Sequence, residues 1–168
     1  DQIWKERVKK EIWYIGDTYH LAIGQGDLLV TPLQINNVTV AIANGGKLLT
    51  PRLVLAAVFS HDKKELFPIK LIRELSVSAD NLQIVREGMR QTITDGSAGS
   101  LRDLPVAVAG KTGTAQWHPT KDNYAWFTGF APYDNPNFCI TVLVEEGGEG
   151  SSVSVPIAKE IMKWWFSR

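Results

Sequence analysis

The segment 109–116, with the sequence AGKTGTAQ, restricts the fold of this chain more than any other. It follows a short apolar run at 106–108 and has the pattern of a strand. A glycine within a strand marks a bulge or the close approach of another backbone. Thr112 and Thr114 lie two residues apart, so their hydroxyls share one face while Lys111 points to the other. Such a strand can hold an extended, anionic, peptide-like ligand by its edge, and a plain surface strand with a solvated lysine is the alternative.

Capping signals predict the first long helix. Thr31 is a suitable N-cap, Pro32 suits the first helical position, and Gln34 completes a capping box. The glycine pair at 45–46 ends the pattern, so we expect a helix over 32–44.

The signals upstream of this helix are weaker. Residues 1–16 allow a short amphipathic helix or a plain connecting segment, the sequence GDT at 16–18 predicts a turn, and GQG at 24–26 predicts a tight backbone passage.

The remaining elements predict an α/β fold of the α+β kind, in which an antiparallel sheet is flanked by helices. We expect a hairpin over 51–67, a helix capped by Ser78 or Asp80, and a closing helix from Pro156. The strands at 124–130 and 138–144 should join the 109–116 strand in one antiparallel sheet. The residues expected on the buried helix faces are Leu82, Val85, Met89 and Ile93, then Ile157, Ile161 and Trp164 or Trp165.

The composition, with 44% hydrophobic and 21% charged residues in a chain of 168, is that of an ordinary globular domain. Its 18 basic residues balance 18 acidic residues, so the net charge gives no support for nucleic-acid binding, which needs a basic surface. Cys139 is the one cysteine, which excludes an internal disulfide, and its alternating apolar surroundings predict a buried structural thiol. No run of about 18 apolar residues is present to span a membrane.

Several short motifs do not fit the chemistry they suggest. A phosphate loop needs a glycine where Pro105 stands, and the GQG at 24–26 lacks the third glycine of a dinucleotide fingerprint. Ser60 and Lys63 have the Ser-x-x-Lys spacing of a serine nucleophile and its base, but they lie in a polar turn rather than on a helix. The three histidines show no ligand spacing, so we expect neither a metal nor another cofactor. The aromatic residues at 124–130 predict a sheet core rather than a stacking wall for a ligand.

The motif KTGTA at 111–115 resembles the third motif of the penicillin-binding proteins and serine β-lactamases. Other segments agree in the same order along nearly the whole chain, and the set is similar to class B penicillin-binding proteins of the elongation type, the penicillin-binding protein 2 subgroup. These segments are 16–18, 22–26, 30–34, 43–46, 51–52, 126–132 and 156–158.

The resemblance implies a β-lactamase-like fold and a peptidoglycan D,D-transpeptidase, which cross-links stem peptides and is acylated by β-lactams. It implies that the hydroxyls of Thr112 and Thr114 bind the terminal carboxylate of the donor peptide. Lys111 would supply positive potential and assist proton transfer, and Gly113 would leave room for the ligand. The backbone N–H of Thr114 would be one of two donors to the oxyanion.

The chain departs from the family pattern in one important respect. It has no Ser-x-x-Lys on a predicted helix and no Ser-x-Asn, both of which precede Lys-Thr-Gly in the family. We therefore expect residues 1–168 to form the C-terminal part of an incomplete transpeptidase domain that is inactive alone. A β-lactamase or β-lactam sensor of the same fold, and a non-catalytic binding module, are the alternatives.

The resemblance also implies partners and a location for the parent protein. The partners are peptidoglycan stem peptides, β-lactams, a glycan polymerase of the SEDS family and the elongation machinery. The parent would be anchored in the cytoplasmic membrane, with this domain in the periplasm or at the cell exterior. Because the missing half would normally cover apolar surface, we expect this chain in isolation to self-associate or to repack its N-terminal segment.

Overall fold

A computed structural model describes residues 1–59 and 64–168. These residues form two compact units, Asp1–Val30 and Thr31–Arg168. The Ser-x-x-Lys match at Ser60 and Lys63, together with His61, lies outside the described residues. None of the helices in the two described ranges has the length and apolar composition needed to cross a membrane.

The first unit contains two short helices, α1 (Gln2–Val8) and α2 (Ile15–Ala22). Helix α1 lies within residues 1–16, where the sequence allowed either a short helix or a connecting segment. The turn predicted at 16–18 is wrong, because these residues lie in α2. The carboxylate of Asp17 accepts the backbone N–H of Tyr14 at 2.7 Å and caps the helix. Lys5 Nζ donates to the same carboxylate at 2.7 Å, a contact that lowers the pKa of Asp17 and raises the pKa of Lys5.

The second unit begins with α3 (Pro32–Ala43), and its capping box is the one that the sequence predicted. Thr31 Oγ1 accepts the backbone N–H of Gln34 at 3.2 Å, and Gln34 Oε1 accepts that of Thr31 at 2.8 Å. Gly45 follows the helix with φ of 82°, a left-handed conformation in which glycine carries no Cβ penalty. Local side-chain chemistry is therefore enough to set the ends of α3.

Four short strands connect α3 to the next helix. They are β1 (Lys47–Leu49), β2 (Ala56–Val58), β3 (Lys64–Leu66) and β4 (Leu71–Glu74). Antiparallel pairing of β2 with β3 confirms the hairpin predicted over 51–67. The pairing of β1 with β4 was not predicted, and it encloses that hairpin.

Helix α4 (Ala79–Thr94) begins at Ser78, whose side chain accepts the backbone N–H of Asn81 at 3.2 Å. Leu82, Met89 and Ile93 are buried as predicted, whereas Val85 is 45% exposed. A loop and a 3₁₀ helix (Gly99–Asp103) then lead toward the main sheet.

The main sheet consists of β5 (Ala109–Ala115), β6 (Tyr124–Ala131) and β7 (Phe138–Val144). The strand order is β5-β6-β7 and both pairings are antiparallel, as the sequence predicted. Phe127 and Phe130 are fully buried and belong to the two hydrophobic clusters on this sheet. The aromatic strand is thus part of the core.

The closing helix α5 (Ser154–Phe166) packs on the sheet, but through a different face from the one predicted. Val155, Ala158 and Met162 are fully buried against the cluster that contains Phe127. Ile157 and Ile161 are more than 40% exposed. Ring contact with Phe138 is made by Trp165, at 5.1 Å between centroids. This face is buried because Val155, Ala158 and Met162 recur at helical spacing and form a continuous apolar stripe against the cluster around Phe127.

Candidate functional site

Strand β5 lies at one side of the main sheet and carries the Lys-Thr-Gly motif along its outer edge. Strand β6 occupies one side of β5, and within residues 1–59 and 64–168 no strand pairs with its other side. Strands in this position can bind an extended chain through backbone groups, while alternate side chains give specificity. The motif is therefore placed where a peptide-like ligand can reach it.

The register of β5 against β6 assigns each motif side chain to a face of the sheet. Lys111 pairs with Thr128, whereas Thr112 pairs with Phe127. Because successive side chains alternate, Thr112 and Thr114 share one face and Lys111 lies on the other. Lys111 and Thr114 are exposed and Thr112 is half-buried. The four predicted site residues at 111–114 are thus together on one strand edge.

Lys111 lies beside the outer edge of its own strand. Its Nζ donates to the backbone carbonyl of Thr112 at 2.6 Å. Across the described ranges no carboxylate forms an ion pair with Lys111. The ammonium group therefore leaves a positive charge at the position where the motif would meet an anionic ligand.

Ser97 is a residue at this site that the sequence did not single out. Its Oγ lies 2.7 Å from Thr112 Oγ1. Ser97 belongs to the loop between α4 and the 3₁₀ helix, which the sequence predicted as a loop without assigning it a function. Because the contact joins residues fifteen positions apart, no local sequence pattern predicts it.

Glycines allow neighbouring groups to press closely on β5. A Cβ at Gly110 would lie 2.8 Å from the carbonyl oxygen of Thr128, which confirms the close backbone approach expected of a strand glycine, and 2.6 Å from the ring of Phe127. A Cβ at Gly150, in the loop before α5, would lie 2.6 Å from the carbonyl oxygen of Gly113 and would also collide with that of Trp126. The backbone of β5 is therefore packed against Phe127 at Gly110 and against the loop before α5 at Gly113.

A row of hydroxyls ties α3 to the sheet next to Lys111. Thr128 Oγ1 lies 2.8 Å from Thr39 Oγ1 and 2.7 Å from Thr141 Oγ1. Thr141 also donates to Asn36 Oδ1 at 3.2 Å, and Thr39 donates to the carbonyl of Ile35 at 3.0 Å. Because Thr128 is the strand partner of Lys111, this network fixes the helix-facing side of the motif.

Cys139 and the histidines stand apart from the motif chemistry. The thiol of Cys139 is half-buried against Asn36, 3.3 Å from its Oδ1, and desolvation raises its pKa to about 12. That environment keeps the thiol protonated and unreactive. In the described ranges, no cluster of His, Cys, Asp and Glu side chains can hold a metal ion.

Comparisons with known proteins agree with this geometry. A family model described as the penicillin binding protein transpeptidase domain matches residues 5–163. The peptidoglycan D,D-transpeptidase MrdA of Haemophilus influenzae is 34% identical over 98% of this chain. The alignment covers 28% of that relative, so the chain spans less than a third of its length.

Solved structures give the same result. A complex of penicillin-binding protein PBP2 with MreC from Helicobacter pylori aligns with 99% of this chain and 30% of the matched chain, at 35% identity and a TM-score of 0.80. For Pseudomonas aeruginosa PBP2 in complex with WCK 5153, the alignment covers 98% of this chain and 37% of the matched chain, at 32% identity and a TM-score of 0.83. For a peptidoglycan synthase complex that coordinates polymerization and crosslinking, it covers 100% of this chain and 28% of the matched chain, at 31% identity and a TM-score of 0.81.

Proposed function

This chain belongs to the family of penicillin-binding protein transpeptidase domains, and we propose that it forms the substrate-binding wall of a peptidoglycan D,D-transpeptidase. The observation that carries the proposal is the outer edge of β5, where one cation and two hydroxyls lie along four consecutive residues, 111–114. In a longer parent protein, this edge would line a cleft whose other wall supplies the nucleophile.

The two threonine hydroxyls bind the C-terminal carboxylate of the donor peptide. Thr112 and Thr114 lie on the same face of an exposed strand edge, and each hydroxyl has one proton to donate. Hydrogen bonds to a charged acceptor are shorter and stronger than those between neutral groups. This pair therefore suits the anionic end of a stem peptide and the carboxylate of a β-lactam.

Lys111 contributes positive charge to the same cleft. Its ammonium group forms no ion pair with a carboxylate of the described residues and lies near the Thr112 carbonyl. A preorganised cation stabilises negative charge as it develops in the transition state, with little reorganisation at the moment of reaction. It also favours the anionic ligand in the ground state, and it assists proton transfers to and from the catalytic groups of the other wall.

The backbone of Thr114 completes the part that this chain plays in the reaction. A serine outside these 168 residues attacks the carbonyl between two terminal D-alanines, and the backbone N–H of Thr114 donates to the resulting oxyanion. The terminal D-alanine leaves, and the amine of a neighbouring stem peptide accepts the acyl group. Gly113 lets the donor peptide lie antiparallel to β5, as in strand addition. A β-lactam follows the same path and stops at the acyl-enzyme.

The parent protein would act outside the cytoplasm, anchored in the cytoplasmic membrane. A solved relative is bound to MreC, and another is part of a complex that coordinates polymerization and crosslinking. We propose partners of the same kinds here: elongation-machinery proteins and a glycan polymerase of the SEDS family.

Mass spectrometry of the parent protein after reaction with penicillin tests this function. We expect one covalent adduct, on a serine outside residues 1–168, and no adduct on any serine of this chain. An adduct on any serine within residues 1–168, or the absence of any adduct, would overturn the proposal.

A further inference from the structure

We propose that Ser97 is a positioning residue for substrate-carboxylate recognition and acts by directing the hydroxyl of Thr112 toward the ligand. This inference rests on the proposed function, because it assumes that Thr112 binds the carboxylate. The observation behind it is the 2.7 Å contact between Ser97 Oγ and Thr112 Oγ1. The ligand group is the carboxylate that a donor peptide and a β-lactam share.

The loop holds Ser97 firmly although its side chain is exposed. On one side, a Cβ at Gly96 would lie 2.9 Å from Thr92 Cα, so the backbone there presses on α4. On the other side, Ala98 is fully buried and its backbone N–H donates to the Thr92 carbonyl at 3.0 Å. Both neighbours of Ser97 are thus fixed to the end of α4, which leaves its hydroxyl in a defined position beside β5.

Each of the two hydroxyls can donate only one hydrogen bond, and this determines which of them donates to the other when a carboxylate is present. Each has one O–H donor and can accept as well. If Thr112 donates to Ser97, no proton of Thr112 remains for the ligand. A carboxylate at the strand edge therefore selects the arrangement in which Ser97 donates to Thr112 and Thr112 donates to the carboxylate.

This order strengthens the bond to the ligand in two ways. A hydroxyl that accepts a hydrogen bond becomes a better donor, because the bonds in a chain polarise one another. The contact with Ser97 also restrains rotation of the Thr112 hydroxyl, so less conformational freedom is lost when the ligand binds. Without Ser97, Thr112 still reaches the carboxylate, but as a weaker and less well-directed donor.

Acylation kinetics of the full-length parent test this inference with two ligands, a penicillin and its methyl ester. We expect Ser97→Ala to lower the second-order acylation rate with the penicillin about tenfold, at the upper end of the range for a hydrogen bond between neutral groups such as the two hydroxyls. The rate with the ester should stay within about twofold of wild type, because the ester carries no carboxylate charge. Ser97→Thr should restore most of the loss, since it keeps the hydroxyl.

Two further variants separate positioning from a structural effect. Ser100→Ala removes a hydroxyl from an exposed residue of the neighbouring 3₁₀ helix and should leave both rates unchanged. In a Thr112→Val background, Ser97→Ala should have almost no additional effect, because the two hydroxyls act as one unit.

Equal losses with the penicillin and the ester would overturn the inference, as would a full additional loss from Ser97→Ala in the Thr112→Val background. An unchanged rate for Ser97→Ala with the penicillin would overturn it as well. A wild-type parent that forms no adduct with either compound would instead overturn the proposed function, and the inference would fall with it.

Discussion

The backbone of Gly150 packs against the carbonyl oxygen of Gly113, so that a Cβ at position 150 would lie only 2.6 Å from that oxygen. Gly150 is buried, and its own carbonyl accepts the backbone N–H of Val155 at 2.9 Å, at the start of α5. Gly150 is therefore bonded to the start of α5 and at the same time presses on the Lys-Thr-Gly strand.

Gly150→Ala should displace either the loop before α5 or the paired strands β5 and β6, because the new Cβ would collide with carbonyl oxygens of both. Overpacking of this kind costs about 1–3 kcal/mol of unfolding free energy. We expect a lower thermal midpoint for the parent protein and slower acylation by penicillin. Gly88→Ala is the matched control, because a Cβ there meets nothing within 4 Å. In the interior of α4 the control should stabilise by about 0.5–1 kcal/mol. A neutral effect of Gly150→Ala on both measurements would show that the loop does not support the strand.

Thr128→Val should loosen the contact between α3 and the sheet. The change removes the hydroxyl that lies between Thr39 and Thr141, at 2.8 and 2.7 Å. Loss of a buried hydrogen-bond partner costs about 1–3 kcal/mol, and Thr39 is only 2% exposed. Denaturant unfolding should show this loss for Thr128→Val and a much smaller one for Thr128→Ser, which keeps the hydroxyl. Equal stability of the two variants would contradict the network.

The contrast between α3 and α5 shows what the sequence can predict here. Both ends of α3 depend on neighbouring residues, Thr31 with Gln34 at the start and Gly45 at the end, so local patterns predict them. Helix α5 is apolar on more than one face, and the sheet decides which face is buried. Its surface accepts Ala158 and leaves Ile161 exposed, a choice that periodicity alone does not show.

The same distinction applies to the candidate site. The sequence predicts which faces of the strand carry Lys111, Thr112 and Thr114, because strand geometry assigns alternate residues to opposite faces. Ser97 and Gly150 reach that strand only through the packing of α4 and α5, so their contacts are tertiary. The start of α2 was missed for a different reason: its N-cap residue is Tyr14, which is not one of the residue types that signal a helix start.

Cys139 should react very slowly with thiol reagents in the folded protein. Burial raises the pKa of its thiol to about 12, above the ordinary value of about 8.5. The folded state therefore holds the proton more tightly than the unfolded state, and this contribution to stability is complete below pH 8.5 and declines as the pH rises toward 12. Wild type should lose stability more steeply than Cys139→Ala between pH 8.5 and about 10. Parallel curves for the two proteins, or rapid thiol labelling of native protein, would contradict this environment.

The 168-residue chain should self-associate when it is produced alone. Large apolar side chains around the β2–β3 hairpin are strongly exposed, among them Leu53 at 104%, Val58 at 72% and Ile69 at 63%. Exposed apolar surface of this kind promotes association. Small-angle scattering over a concentration series should show growing particle mass, and a Leu53→Ser, Ile69→Ser double variant should reduce the growth. A strictly monomeric profile at high concentration would refute the expectation.

The acylation rate of a Lys111→Ala parent protein tests the central claim most directly, namely that the outer edge of β5 is the substrate-binding wall of a transpeptidase. Lys163→Ala is the matched control, because Lys163 is an exposed lysine on α5 with no ion pair in the described part of the chain. With a fluorescent penicillin, we expect the rate for Lys111→Ala to fall on the order of 100-fold, as when a preorganised electrostatic group is removed from an active site. The control should label at the wild-type rate. Near-normal labelling of Lys111→Ala would contradict the account.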